Sequence, residues 1–186
     1  MTFAGLNEWP EPPIHGDEVA TLLGSLDRQR ATFAWKAGGL DAEGLRATVG
    51  TSSVTLGGLL KHLALVEDYY FSVRLFDREH APPFNESNWE SDVDSEWSSA
   101  SSDEPAYLYD LWQRTVDQSR RNVAEAVAHG GLDQSMMQKW PDGRAPSLRR
   151  TLLDLIEEYA RHVGHADLIR ESVDGLVGED PPGVHD

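Results

Sequence analysis

Ser147-Leu148-Arg149-Arg150-Thr151-Leu152-Leu153-Asp154-Leu155-Ile156-Glu157-Glu158-Tyr159-Ala160-Arg161-His162-Val163-Gly164-His165-Ala166-Asp167-Leu168-Ile169 reads as one amphipathic helix. Leu148, Leu152, Leu155, Ile156, Tyr159, Val163, Ala166 and Ile169 recur at helical spacing and form a single apolar stripe. Each residue advances about 100° around the axis, so with Leu155 as zero, Leu152, Tyr159 and Ala166 fall within about 60° on one side. His162 falls about 20° away on the other side, and Glu158 and His165 about 60° and 80° away, at the edge of the stripe. A carboxylate and two imidazoles thus border the apolar face. Ser147 is placed to cap the helix, and Asp174-Gly175 to end it.

Working outward, three further stretches carry the same periodicity. Asp17 caps a helix whose face holds Val19, Leu22, Leu23, Leu26 and Phe33, with Arg30 as a polar interruption and a stop near Gly38-Gly39. A short turn at Asp41 to Leu45 leads to Thr55, which caps a second helix bearing Leu56, Leu59, Leu60, Leu63, Val66, Tyr70 and Val73 and running to about Phe76. A third runs from Pro105 to about Val127, with Leu108, Trp112, Val116, Val123 and Val127 inward and Ser119 as an interruption. His129-Gly130-Gly131 breaks it.

No strand pattern competes. The expected fold is all-α, a four-helix bundle with long connections, over residues 1–186 as a single domain with an extended tail at 1–16 and a C-terminal tail at 176–186. Residues 78–103, rich in Ser, Asp and Glu and carrying Trp89 and Trp97, read either as a mobile acidic linker or as an ordered lid.

Composition narrows the functional classes. Thirty-two acidic residues against sixteen basic ones give a net charge of −16, which disfavours nucleic acid and anionic membranes as partners. No apolar run is long enough to span a bilayer, and the polar, Pro-rich start lacks the basic and apolar regions of a secretory signal. The absence of cysteine rules out disulfides, thiolate ligands and a cysteine nucleophile, and is compatible with the cytoplasm as the expected location. Phosphate-binding loops, nucleophile elbows and dinucleotide fingerprints are also absent from the sequence.

His62 sits about 60° from Leu59, at the edge of the second helix's stripe. With Glu158 and His162 it supplies three ligands from two packed helices, a set that suits Zn²⁺, Ni²⁺, Fe²⁺ or Mn²⁺ and leaves positions open for water or substrate. A histidine at such an edge is more often a hydrogen-bonded core residue, and on spacing alone both readings stand. A di-metal bundle would need a Glu-x-x-His pair on each of two helices. Glu158 precedes His162 by four positions and Glu67 follows His62, so neither helix has the pair.

The segments Leu60–Glu67 and Glu158–Glu171 resemble the DinB-like superfamily, most closely its actinobacterial branch related to mycothiol-dependent maleylpyruvate isomerase. Pro12 through Gly24, Asp27–Arg30, Trp35-Lys36 and Ser147-Leu148-Arg149 carry the resemblance along nearly the whole chain. It implies an up-up-down-down bundle with a three-ligand metal site, and enzymes that use low-molecular-weight thiols. The usual pattern is one His on the second helix and His-x-x-x-His on the last; here Glu158 stands in the first position of that pair, as in the thiol-dependent isomerase branch.

Three readings follow. In the first, His62, Glu158 and His162 hold a divalent metal, Zn²⁺ foremost, that activates an external thiol toward an electrophilic substrate, while His165 or Tyr159 moves protons. In the second, the bundle is a non-catalytic metal- or small-ligand-binding stress-response module. In the third, it is a homodimeric interaction protein with core histidines.

Overall fold

The computed structural model describes residues 9–86 and 94–182. Among these residues six α-helices follow one another: α1 (Glu18–Ala37), α2 (Ala42–Arg46), α3 (Leu56–Asp68), α4 (Ser95–Ala100), α5 (Pro105–Gly130) and α6 (Leu148–Asp174). The described residues include no strand; a single isolated bridge joins Ser135 and Ser147. The expected caps are in place. Asp17 accepts from the Ala20 amide at 2.8 Å, Thr55 from Gly58 at 3.0 Å and Ser147 from Arg150 at 3.2 Å. Each satisfies a backbone donor that its helix cannot. The third expected helix runs three residues past Val127, and Gly131 closes it at φ 65°.

α1, α3, α5 and α6 form the bundle. Leu26, Phe33, Leu59, Leu63, Leu108, Trp112, Val116, Leu152, Leu155 and Tyr159 from these helices are all buried in one core. The helix directions follow from the paired ends. Arg149 at the start of α6 pairs with Glu18 at the start of α1, and Arg170 near its end donates to the Lys36 carbonyl near the end of α1, so α1 and α6 run parallel. A Cβ on Gly57 would lie 3.3 Å from Leu108, near the starts of α3 and α5, and Asn122 donates to the Phe71 carbonyl further along, so α3 and α5 are also parallel. The Arg149 amide at the start of α6 donates to the Leu132 carbonyl just past the end of α5, so α5, and with it α3, runs antiparallel to α6. The order is therefore up-down-down-up, which corrects the up-up-down-down expectation. The short connection through α2 turns the chain back after α1. α5 then begins beside the start of α3.

The second expected helix reaches Phe76, but not as a regular α-helix. Tyr69–Arg74 forms a π-helical turn directly after α3. Such turns often occur at functional sites.

The polar interruptions in the stripes prove to be core. Arg30 on α1 is 4% exposed and Glu67 on α3 is 0% exposed. The Arg30 Nε and Nη2 each donate to one Glu67 oxygen at 2.7 Å. Tyr159 of α6 donates to Glu67 Oε1 at 2.8 Å and accepts from the Trp112 indole of α5 at 2.9 Å. Ser119, also on α5, donates to the Glu67 carbonyl at 3.3 Å. All four bundle helices thus share one buried polar network. Burial opposes the charge on Arg30, but the Glu67 carboxylate outweighs it and holds the guanidinium protonated.

Glu67→Gln removes the buried counter-charge of Arg30, leaving only the more exposed Asp27 at 3.0 Å, and is expected to cost roughly 3–5 kcal/mol of stability. Tyr159→Phe, which strands the Trp112 indole N–H and removes one donor from Glu67, is expected to cost about 1–3 kcal/mol. The shift of the urea unfolding midpoint at unchanged slope measures both; a shift below a few tenths of a kcal/mol for Glu67→Gln would contradict a structural role for the network.

Candidate metal centre

His62 lies one and a half turns before Glu67 on α3, and Glu158 and His162 lie either side of Tyr159 on α6. The network that joins Glu67 to Tyr159 therefore brings these three side chains together. One ligand atom from each of His62, Glu158 and His162 lies within 4.8 Å of the others, a grouping that can hold a metal ion. Glu158 Oε1 is the point of convergence: the Nε2 of His62 is 3.2 Å from it and the Nε2 of His162 3.1 Å. The two rings meet edge to face with centroids 5.0 Å apart. His162 is 7% exposed, while His62 and Glu158 are half-buried, so the group opens to one side.

The other nitrogen of each imidazole is also engaged. His62 Nδ1 is 3.2 Å from Glu96 Oε1, and His162 Nδ1 is 3.2 Å from His165 Nδ1. An imidazole whose outer nitrogen is held by a carboxylate has its tautomer and ring orientation fixed, leaving the inner nitrogen free to coordinate. The donor set thus fits a divalent cation. Glu96 Oε2 adds a further negative atom, buried and without a hydrogen-bond partner.

Glu96 and Trp97 are the site residues that sequence reading missed. Both belong to α4, inside the stretch read as linker or lid. Trp97 stacks on the His62 ring at 4.6 Å and 26°. Lys61, next to His62, ties the same segment down through Ser99 at 2.8 Å and Asp103 at 2.6 Å. Residues 94–103 therefore pack over the site as an ordered cover; Trp89 lies outside the described residues. Gly58 permits the approach, since a Cβ there would lie 2.7 Å from Trp97. The signal in the sequence was a lone aromatic beside a carboxylate within an otherwise Ser-rich run.

The remaining expected residues divide. His165 is half-buried beside His162, and burial, then the His162 and Arg161 charges, lower its pKa, so it stays neutral near pH 7. Tyr159 is fully buried with its hydroxyl engaged by Glu67 and Trp112, and burial pushes its pKa well up. That placement corrects the proton-carrier reading of Tyr159: both hydrogen-bonding roles of the hydroxyl are committed within the core. Asp68 is committed to His80 at 2.7 Å, and Glu67 to Arg30. His185 lies outside the described residues.

The electrostatics are those of a site prepared for positive charge. Hydrogen bonds from His162 and then His62 hold the Glu158 carboxyl well below the usual carboxylate range. Burial alone would lower the His62 pKa, but hydrogen bonds to Glu158 and Glu96 reverse this and raise it.

A helical bundle with two imidazoles and a carboxylate converging from α3 and α6 is of the DinB-like class. The mycothiol-S-transferase family model matches residues 21–175, and the chain belongs to that family. No curated protein sequence matches it. Among the described residues no helix is long and apolar enough to cross a membrane.

Two expectations follow from the geometry. Glu96→Ala leaves the three inner donors intact but frees the His62 ring, and should weaken Zn²⁺ binding about 10–100-fold in a chelator-competition titration. In metal-free protein the raised His62 pKa stabilises the fold fully below the unfolded value near 6.5, and that contribution is lost as pH rises through the folded value. The melting-temperature gap between wild type and His62→Gln in chelator should therefore shrink from about pH 6 to about pH 9. With Zn²⁺ the gap should widen instead, because the metal requires neutral imidazole.

Proposed function

We propose that the chain is a metal-dependent thiol transferase or isomerase of the cytoplasm, with His62, Glu158 and His162 as ligands to a divalent metal, Zn²⁺ foremost. The observation that supports this is the convergence of three donors on one point while the outer nitrogen of each imidazole is engaged. Family membership supplies the thiol as substrate class. The chain has no cysteine, so the nucleophilic sulfur comes from the small molecule. A bound divalent cation supplies Lewis-acid character that lowers a thiol's pKa toward neutrality.

The protein's own groups do the rest. His62 and His162 present neutral Nε2 atoms, and Glu158 contributes the one negative charge among the three donors. Glu96 fixes His62, and Trp97 covers it against water. His165, neutral and half-exposed, accepts the proton released by the thiol and can return it to the product. The electrophile approaches from the open side of the group.

The test is turnover of an electrophile such as 1-chloro-2,4-dinitrobenzene with mycothiol, following both thiol consumption and adduct formation. Activity should disappear on exhaustive chelation, return with Zn²⁺, and be absent in His62→Ala. His165→Gln should retain Zn²⁺ but lose rate, with the largest loss at low pH where free thiolate is scarce. Full activity in protein shown to be metal-free would sink the proposal.

A further inference from the structure

α6 turns one side to the core and leaves the other without a packing partner. With Leu155 as zero on the helical wheel, Gly164 lies at about 180°, opposite the core direction. Leu153, Glu157 and Glu171 fall within about 20° of Gly164, and Arg150, Ala160 and Leu168 within about 40°. Arg161 follows at about 60°. All of these positions are exposed. Leu153 and Leu168 are large apolar side chains left 43% and 60% exposed. A Cβ on Gly164 would meet nothing within 4 Å.

Scattered surface leucines need no explanation, but the placement of these two does. Leu153 and Leu168 stand equally far from the midpoint between Ala160 and Arg161. So do Arg150 and Glu171. If two copies of this helix pack antiparallel about a two-fold axis through that midpoint, each position faces its mirror position. Leu153 then meets the partner's Leu168, and Arg150 the partner's Glu171, each contact occurring twice. Glu157 lies three residues, about 4.5 Å along the axis, from the level of the partner's Arg161, within reach of an arginine side chain. Ala160 and Gly164 sit near the crossing, where small side chains let two helices approach closely.

The charges on this face are available. Glu157 and Glu171 make no hydrogen bond or ion pair among the described residues. Arg150 and Arg161 each hold one carboxylate of their own helix, Asp154 at 2.6 Å and Glu158 at 3.6 Å, and keep further N–H donors. Two arginines and two glutamates make the face neutral in a chain of net charge −16. Two such chains can meet there without setting acid against acid.

We infer that the outer face of α6 is a docking surface for a second copy of this chain, paired antiparallel about a two-fold axis between Ala160 and Arg161. A self-complementary pattern is what an isologous contact requires, whereas a different partner would place no demand on mirror positions. One helix a side is smaller than a standard interface, so the dimer is weak, with a Kd on the order of 10–100 µM. The inference does not rest on the thiol chemistry proposed above, since neither the face nor its test involves metal or thiol.

Sedimentation velocity of the full chain from about 1 to about 500 µM reads the equilibrium. Arg150→Glu and Glu171→Arg each turn two attractive pairs per dimer into repulsive ones, and each variant alone should have a Kd about tenfold or more above wild type. Mixed one to one, the two variants set opposite charges against each other at both mirror positions. The heterodimer should therefore recover the wild-type Kd to within about threefold. A loss of folding in either variant would not be repaired by mixing, so recovery reads the contact itself. Gly164→Gln, for which the single chain has open space, fills the crossing and should also weaken the dimer about tenfold. A wild-type chain that stays monomeric throughout, a dimer that either charge reversal leaves intact, mixed variants that fail to recover, or a Gly164→Gln dimer as tight as wild type would each overturn the inference.

Discussion

The hydrogen bond from Tyr159 to Glu67, backed by Arg30 and Trp112, sets the axial position of α6 against α3. Apolar stripes alone do not fix that position, because leucines tolerate sliding by a turn with little change in buried area. A buried bidentate ion pair does not tolerate it. Its desolvation is repaid only in one geometry, so a slipped register leaves charge unpaired in the core. The candidate metal centre inherits this constraint. Glu67 is five positions after His62 and Tyr159 three before His162, so the Tyr159–Glu67 bond leaves His62 opposite the turn that carries Glu158 and His162. A one-residue rotation of α6 would move each of these side chains about 100° around the helix and out of reach of His62.

Much of this was legible in the sequence because it is local. Helix caps at Asp17, Thr55 and Ser147 depend on residues three positions away, and the stripes on the 3.6-residue repeat. His62, Glu158 and His162 were legible for the same reason, each being a polar group placed at the margin of an apolar face. What escaped was non-local. Arg30 and Ser119 read as blemishes in their stripes since their partner, Glu67, lies on another helix. Tyr159 read as a proton carrier because it sits between two ligands, and only packing shows its hydroxyl committed to Glu67 and Trp112. The π turn leaves no mark in hydrophobic periodicity. Helix direction was likewise open, since connections as long as residues 75–104 permit either sense.

α4 is the most instructive of these. Its sequence, Ser95-Glu96-Trp97-Ser98-Ser99-Ala100, has neither the length nor the apolar stripe of a stable helix. It is ordered by what it covers: Lys61 draws in Ser99 and Asp103, and Trp97 fits the space that Gly58 leaves above His62. The segment is therefore coupled to the site in both directions. A metal that fixes the His62 ring also fixes the surface on which Trp97 stacks, and loss of Trp97 admits water to a site whose electrostatics depend on its exclusion.

The distribution of charge around α3 carries the same division of labour. At the His62 end, Glu96 and Glu158 face one imidazole, and in the absence of a metal the raised His62 pKa lets a proton provide the positive charge that these carboxylates require. A metal bound there would compete with that proton for one position, and its occupancy would follow pH as well as metal supply. At the π-turn end the sign is reversed: Arg74 is buried against the Tyr69 and Trp140 rings, and its Nε and Nη2 have no hydrogen-bond partner among the described residues.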